Sequence, residues 1–181
     1  MLKTLIIYYS PYGTTKQYAE WIAEKLDGDI YSIDNLKQIS LNNYDTIIIG
    51  KGLYPGKIKD IDIIVKNYET IKNKKLIIFT CGLADYSKDV HKNAIYNRLK
   101  KEFSEKIIEN AKVFYLRGGI NYRKLTLKHK IMMWAVKKRI LMSKRRIEEL
   151  SEEDKEFMET YGKEIYFMDK NSIKELLEYC K

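Results

Sequence analysis

The amino-acid sequence predicts an α/β fold built on a doubly wound parallel sheet. Short apolar runs rich in β-branched residues alternate with segments of helical periodicity along most of the 181 residues, and this alternation is typical of parallel strands joined by right-handed crossovers. The run YDTIIIG at 44–50 is almost continuously apolar, as expected for a strand buried on both faces. Hydrophobic residues make up 45% of the chain, enough for one sizeable core. We therefore expect a single domain over residues 1–181.

Each predicted element rests on its own pattern. Residues 2–9 are apolar and β-branched, which predicts the first strand. Residues 15–26 carry apolar side chains at 18, 19, 22, 23 and 26, which fall on one face of a helix. Shorter apolar runs and helical patterns then alternate, with strands predicted at 30–33, 44–50, 75–81 and 112–116, and helices at 61–68 and 90–108.

After the fifth predicted strand, Gly118 and Gly119 interrupt the alternation. A strand resumes at 164–168, and a terminal helix follows at 172–179 with Asn171 or Ser172 as its cap. The stretch at about 120–162 is therefore predicted to be a helical insert in or after strand five. Because the binding loops discussed below lie elsewhere, we expect the insert to be removable without loss of a cofactor.

Composition argues against several other classes of protein. Cys81 and Cys180 do not form a CxxC pair, so we expect no disulfide framework and a cytoplasmic, reducing compartment. His91 and His129 lack the spacing of metal ligands, and no metal site is predicted. The N-terminus does not have the pattern of a signal peptide, and no apolar run reaches the length of about 18 residues that a membrane span requires.

The net charge of +9 is concentrated in one part of the chain. Residues 112–147 contain 12 Lys and Arg and no Asp or Glu, which leaves 22 basic against 25 acidic residues elsewhere. The insert also holds the apolar run IMMWAV at 131–136 between lysines. Residues 117–146 are therefore a candidate for peripheral contact with an anionic membrane, or the insert packs on its own domain with its charges in solvent. No nucleic-acid partner is expected, because the excess of basic residues is confined to this one segment and no nucleic-acid module is recognisable. A basic module that binds nucleic acid or a membrane surface without a cofactor is the less favoured alternative.

The loop between the first strand and the first helix reads SPYGTT. Its residues are candidates for holding a phosphate, because a helix start presents unpaired amides and a partial positive charge. Gly13 lets the backbone approach an anion, and three hydroxyl side chains can donate to its oxygens. A simple capped turn is the alternative. The candidates are Ser10, Pro11, Tyr12, Gly13, Thr14 and Thr15.

This loop resembles a known family. Ser10-x-Tyr12-Gly13-x-Thr15 is similar to the phosphate loop of flavodoxins, and Asn43-Tyr44-Asp45 leads into an apolar third strand, as is common in flavodoxin-like proteins. The resemblance implies a flavodoxin-like three-layer sandwich with strand order 2-1-3-4-5. It also implies FMN as the cofactor, with its phosphate held at residues 10–15. The chemistry would take place on FMN, with no catalytic side chain.

Two further loops would then hold the flavin ring. The first follows strand three and includes Lys51, Gly52, Leu53, Tyr54 and Gly56. The second follows strand four and includes Cys81, Gly82, Leu83, Asp85 and Tyr86. Tyr54 and Tyr86 are the candidates for stacking on the ring, which contributes about 0.5–1.5 kcal/mol beyond burial. The ammonium groups of Lys51 and Lys57 are expected beside the ring, where they would favour negative charge on a bound flavin.

Within the flavodoxin-like group, Gly118-Gly119-x-x-Tyr122 and the basic insert resemble menaquinone-dependent protoporphyrinogen oxidases. That resemblance implies a porphyrinogen as electron donor and a quinone as acceptor. The loop at 51–56 departs from the pattern, because it lacks the Ser and Arg expected there. The sequence therefore predicts an FMN-dependent redox protein whose partner is a redox protein, a quinone or a porphyrinogen, with porphyrinogen oxidation as the more specific alternative.

Overall fold

The computed structural model describes residues 3–53, 61–86, 89–143 and 149–181. Its central sheet has five parallel strands in the order β2-β1-β3-β4-β5, which confirms the predicted α/β class and strand order. The strands are β1 (Thr4–Tyr9), β2 (Asp29–Ser32), β3 (Thr46–Gly52), β4 (Lys75–Gly82) and β5 (Ala111–Arg117).

Helices cover both faces of the sheet. They are α1 (Thr14–Leu26), α2 (Ile61–Lys66), α3 (Tyr68–Ile71), α4 (Asp89–Phe103), α5 (Glu105–Asn110), α6 (Leu127–Met142), α7 (Glu152–Thr160) and α8 (Lys174–Cys180). Short 3-10 turns lie at Ile33–Gln38, Leu41–Asn43 and Lys170–Ile173.

The core consists of two apolar clusters, one on each side of the sheet. Side chains alternate along β3, so that Ile47 and Ile49 pack with Phe103 of α4, whereas Ile48 packs with Tyr18 of α1. All five of these side chains are almost fully buried, and burial of an apolar side chain of the size of isoleucine contributes about 1.5–3 kcal/mol. The result is the three-layer sandwich that the resemblance implied.

Two predicted helices are divided in the structure. The helix expected at 61–68 forms α2 and α3, and the helix expected at 90–108 forms α4 and α5. Ser104, between α4 and α5, has a φ of 81°. Its ψ of 152° is also far from the helical value, so an α-helix cannot continue through it. Apolar periodicity continues across the break because both pieces pack on the same core.

The strand predicted at 164–168 does not belong to the central sheet. It is β7 (Glu164–Tyr166), and it pairs antiparallel with β6 (Gly119–Asn121) in a separate two-stranded sheet. An apolar pattern identifies an extended segment but not its partner. The predicted cap of the terminal helix was also wrong, because Asp169 accepts the hydrogen bond from the backbone N of Asn171 at 2.9 Å and caps a 3-10 turn that precedes α8.

The insert leaves the central sheet at the end of β5, and the chain after it returns to the same place, beside Tyr18. The hydroxyl of Tyr18 in α1 donates to the carbonyl of Arg117 at 2.9 Å and accepts from the backbone N of Asp169 at 3.1 Å. One buried side chain therefore contacts the chain where it leaves the sheet and where it comes back.

In the described part of the chain, no helix has the length and apolar character needed to cross a membrane.

Candidate functional site

The loop from Ser10 to Thr15 forms a tight turn at the carboxyl end of β1. Gly13 has a φ of 94° and directly precedes α1, a conformation that other residues adopt only with strain. The hydroxyl oxygen of Ser10 accepts a hydrogen bond from the backbone N of Gly13 at 3.1 Å. No side chain caps the first turn of α1, and that turn contains no acidic residue. Its amides are therefore available to an anion.

The two threonines of this loop are buried. Thr14 is 4% exposed and Thr15 is 0% exposed. The Oγ1 atom of Thr15 has no hydrogen-bond partner, although it lies close enough to the Cys81 thiol to oppose part of that thiol's pKa shift. Burial raises the pKa of Cys81 to about 12, so the thiol is a weak partner in its protonated form. A buried hydroxyl without a good partner costs free energy, and its presence beside an open helix start indicates a ligand site.

A cavity of about 90 Å³ opens beside this loop. It brings together predicted residues from the phosphate loop and from both ring loops. Those residues are Tyr12, Thr14, Leu53, Cys81, Gly82 and Leu83. Residues that sequence reasoning did not assign to the site complete the lining: Gly118, Gly119, Ile120, Asn121, Leu125, His129 and Met133.

The insert forms part of this cavity through helix α6. The Tyr12 hydroxyl lies 2.5 Å from Nδ1 of His129 and accepts a hydrogen bond from the backbone N of Thr126 at 3.2 Å. Thr126 also caps α6, since its side chain accepts from the backbone N of His129. The premise that the insert lies away from the binding loops was therefore wrong, while retention of a cofactor after its removal stays a prediction. Tyr12 and His129 are 117 positions apart, and no spacing rule connects residues at such a distance.

The second ring loop is also linked to the insert. Arg117 donates to the carbonyl of Leu83 through Nε at 3.3 Å and through Nη2 at 3.1 Å. The same guanidinium pairs with Glu156 of α7 and lies 3.9 Å from the ring centroid of Phe167. Arg117 thus holds the second ring loop in place. It lies within residues 117–146, the predicted membrane contact, but its charge is already paired with Glu156.

The ring loops themselves are only partly described. Leu53 donates its backbone N to the Cys81 carbonyl at 2.8 Å, which holds the two loops side by side. A second cavity, of about 260 Å³, shares Leu53, Gly82 and Leu83 with the first. Tyr54, Gly56 and Lys57 lie outside the described residues. Gly52 is buried within β3, Pro11 is exposed in the loop, and Asp85 lines a separate groove along β5.

Tyr86 lies at the edge of the second cavity. Its side chain is 7% exposed, its hydroxyl is buried without a hydrogen-bond partner, and burial raises its pKa. The hydroxyl approaches Gly82 so closely that a Cβ atom there would lie 2.2 Å from it. A glycine is required at 82 for this packing. Stacking of Tyr86 on a flavin stays a prediction.

Lys51 differs from its expected position. Its side chain is 1% exposed and points into the core, where its ammonium pairs with Glu102 of α4. Arg98 shares the same carboxylate, with Nε 2.8 Å from Oε1. Burial, and to a smaller extent the nearby Arg98 charge, lowers the pKa of Lys51 to about 7, while a carboxylate in contact acts in the opposite direction. Lys51 is on the same face of β3 as Ile47 and Ile49, so its ammonium is not beside the cavity.

A model of the flavodoxin domain matches residues 5–146 of this chain. The chain belongs to the flavodoxin-domain family. It is 33% identical over 133 residues to an uncharacterized protein of Methanocaldococcus jannaschii. The aligned region covers 66% of this chain and 85% of that relative. It is 29% identical over 99 residues to a flavodoxin of Maridesulfovibrio salexigens, which covers 48% of this chain and 68% of the relative. The crystal structure of oxidised flavodoxin 2 from Bacillus cereus aligns with a TM-score of 0.45 and 22% identity, over 64% of this chain and 84% of that chain.

The residues of this flavodoxin domain fit the phosphate end of FMN. The left-handed turn at Gly13, the uncapped start of α1 and the unsatisfied hydroxyl of Thr15 offer donors to an anion without a basic side chain. The two cavities share Leu53, Gly82 and Leu83, so they lie side by side along the ring loops. In the described ranges, no group of His, Cys, Asp and Glu side chains is arranged to hold a metal ion.

Proposed function

We propose that this protein is an FMN-dependent redox protein of the flavodoxin class. The observation that carries the proposal is the buried Thr15 hydroxyl, which lacks a hydrogen-bond partner at the open start of α1. Membership of the flavodoxin-domain family supports it, and so does the similarity to a flavodoxin of Maridesulfovibrio salexigens. FMN, when bound, supplies the electron-transfer chemistry.

The chain's own residues bind and shield the cofactor in this proposal. Hydroxyls of Ser10, Thr14 and Thr15 and the first amides of α1 would hold the phosphate. Leu53 and Leu83 line the cavity from the ring loops, and Met133 lines it from the insert, so that an apolar wall restricts water. Such a wall strengthens the hydrogen bonds made within it. No side chain is assigned a covalent step.

Protoporphyrinogen oxidation is the more specific hypothesis, and it stays a prediction. It rests on Gly118-Gly119-x-x-Tyr122 and on the position of the insert, and the loop at 51–56 lacks the Ser and Arg of that pattern. The structure adds that Gly118 and Gly119 line the cavity. Anaerobic reduction of the FMN-loaded protein, followed by trials of porphyrinogen, quinone and ferredoxin-type partners, would separate this hypothesis from simple electron carriage.

The proposal is tested by flavin binding to the wild-type chain and to Thr15→Val. The wild type should take up FMN and show the visible absorption of a flavoprotein. Thr15→Val removes one hydrogen bond to a charged phosphate, worth about 1.5–3 kcal/mol, so FMN should bind at least about tenfold more weakly. Riboflavin, which has no phosphate, is the control ligand and should change little. Failure of the wild type to bind FMN would reject the function, and equal losses for both ligands would reject the phosphate loop.

A further inference from the structure

The outward face of helix α6 carries a row of exposed apolar side chains that the fold does not use. Leu127 is 74% exposed, Ile131 55%, Trp134 53%, Leu141 61% and Met142 68%. We call these five residues the outer stripe. An exposed stretch of large apolar side chains in this number usually marks a surface that another molecule covers.

The outer stripe is continuous along the helix. Its members are spaced by four, three, seven and one residues, which places them on one side of a 3.6-residue helix. From the first to the last it runs for about 22 Å. The opposite side of α6 is already in use, because His129 and Met133 line the cavity and Ile140 is 4% exposed. The stripe is thus a second apolar face and not the packing face of the helix.

Basic side chains border the outer stripe on both sides. On an ideal helix Lys130 lies on one flank, Lys128 and Arg139 lie on the other, and Lys138 lies within the stripe. The ammonium of Lys138 is 5.1 Å from the ring centroid of Trp134. Across the part of the chain that the structure describes, none of these four cations forms an ion pair with a carboxylate. Their charge is therefore available to an external partner.

We propose that the outer stripe is a docking surface for an anionic lipid bilayer, with α6 lying in the plane of the interface. Apolar side chains along one line would enter the region between head groups and acyl chains, and the flanking cations would meet anionic head groups. Trp134 in the middle of the row suits this level, since its ring is apolar with one polar N–H. Long basic side chains can bury their stems while their charges stay in water.

The observations favour a lipid surface over a protein partner. Lysine is depleted at the centre of protein interfaces, whereas Lys138 stands within the outer stripe and further cations border it. The outer stripe is formed by a single helix, α6. A helix surface of this kind fits a flat, deformable bilayer better than a deep protein pocket. Nearby acidic residues of α7 are partly neutralised, since Glu156 pairs with Arg117 and Glu152 with Lys155.

The first experiment measures binding of the full chain to vesicles of phosphatidylcholine, alone or with an equal part of phosphatidylserine. The chain has two tryptophans, so Trp21→Phe leaves Trp134 as the only indole reporter. Cosedimentation and a blue shift of Trp134 emission are expected with the anionic vesicles at low salt, and both should weaken as salt rises. Absence of binding to anionic vesicles at low salt would overturn the proposal.

Matched variants separate the outer stripe from general charge. Ile131→Ser with Leu141→Ser should lower vesicle partitioning by about tenfold or more, because each removes a side chain that would leave water. Lys128→Glu with Arg139→Glu should do so through charge. Lys101→Glu with Lys106→Glu changes the net charge equally on exposed positions of α4 and α5 and should bind as the wild type does. Circular dichroism verifies folding of each variant.

Three outcomes would contradict the lipid assignment. Unchanged binding of the Ser variant would mean that the outer stripe does not enter the bilayer. An equal loss in the α4 and α5 control would reduce the effect to net charge. Concentration-dependent dimerisation without lipid, abolished by the Ser variant, would make the outer stripe a contact between two copies of the chain.

Discussion

The hydroxyl of Tyr12 in the phosphate loop lies 2.5 Å from Nδ1 of His129 in helix α6. The two rings also meet edge to face, with centroids 5.6 Å apart. This contact joins the most flavodoxin-like part of the sequence to the segment that departs most from the alternating pattern. The insert is therefore a wall of the candidate site, and changes in either partner should affect the other.

Tyr12→Phe should loosen helix α6 while leaving the sheet intact. The change removes the group that contacts His129 and accepts from the backbone N of Thr126, at a net cost of about 1 kcal/mol, because only the contact with His129 is partly buried. Amide hydrogen exchange should become faster in α6 and stay slow in β1, β3 and β4. Tyr31→Phe, at a position that is 36% exposed, is the control. Unchanged exchange in α6 would show that the contact does not hold the insert.

Thr15→Val should stabilise the flavin-free protein. The Oγ1 atom of Thr15 is fully buried and has no good partner, so replacing the hydroxyl with a methyl of similar shape removes a desolvation penalty of about 1 kcal/mol. Urea unfolding of the flavin-free chain measures the gain, and the midpoint should rise with the slope unchanged. A loss of stability would mean that the Cys81 thiol or water satisfies the hydroxyl in the free protein.

Cys81 should resist thiol reagents in the folded state. Burial raises its pKa to about 12, so at pH 8 only about one thiol in ten thousand is the reactive thiolate, compared with about a quarter for a cysteine of pKa 8.5. Cys180→Ser leaves Cys81 as the only thiol, and its labelling by a disulfide reagent should require denaturant. Cys81→Ser, which leaves the half-buried Cys180, is the comparison. Rapid labelling of folded Cys180→Ser would contradict the burial of this side chain.

Glu102→Gln should make stability depend on pH through Lys51. Loss of the carboxylate leaves a buried ammonium beside Arg98, and breaking such a pair costs about 3 kcal/mol at neutral pH. Burial and Arg98 already lower the pKa of Lys51 to about 7 in the folded wild type, and loss of the carboxylate should lower it further, whereas an unfolded lysine has a pKa of about 10.4. Between these values the unfolded chain binds more protons than the folded chain, so the free energy of unfolding of the variant should rise with pH.

The wild type and Glu105→Gln, measured over the same pH series, are the controls for this prediction. In the wild type the Glu102 carboxylate favours protonated Lys51, so the rise with pH should be smaller. Glu105→Gln breaks an exposed pair with Lys100 and should leave the free energy of unfolding almost unchanged, because solvent screens such a pair. An equal slope in all three proteins would show that Lys51 reaches solvent.

Sequence reasoning predicted the turn at residues 10–15 and the helix that follows it because these elements are local. Strand, Gly13, hydroxyls and helix follow one another within seven residues of Tyr9, and the strand order follows from βα alternation. The part of the cavity lining that the insert contributes could not be predicted in this way. His129 and Met133 reach the site only through the crossing of α6 over the strand ends, and a helix with apolar residues on two faces gives no clear period. Lys51 was misplaced because strand alternation, which puts 51 on the side of 47 and 49, was not applied to it.

The Tyr18 hydroxyl contacts the chain at Arg117 and again at Asp169. The insert thus departs from and returns to nearly the same point, and its loop-closure entropy grows only with the logarithm of its length, by about 0.6 kcal/mol for each doubling. The last strand of the central sheet ends at Arg117, and α8, after Asp169, packs against the cluster that contains Tyr18. Segments of very different length could therefore be exchanged at this position at little thermodynamic cost, which makes the junction at Tyr18 a place where a common scaffold can acquire a new surface.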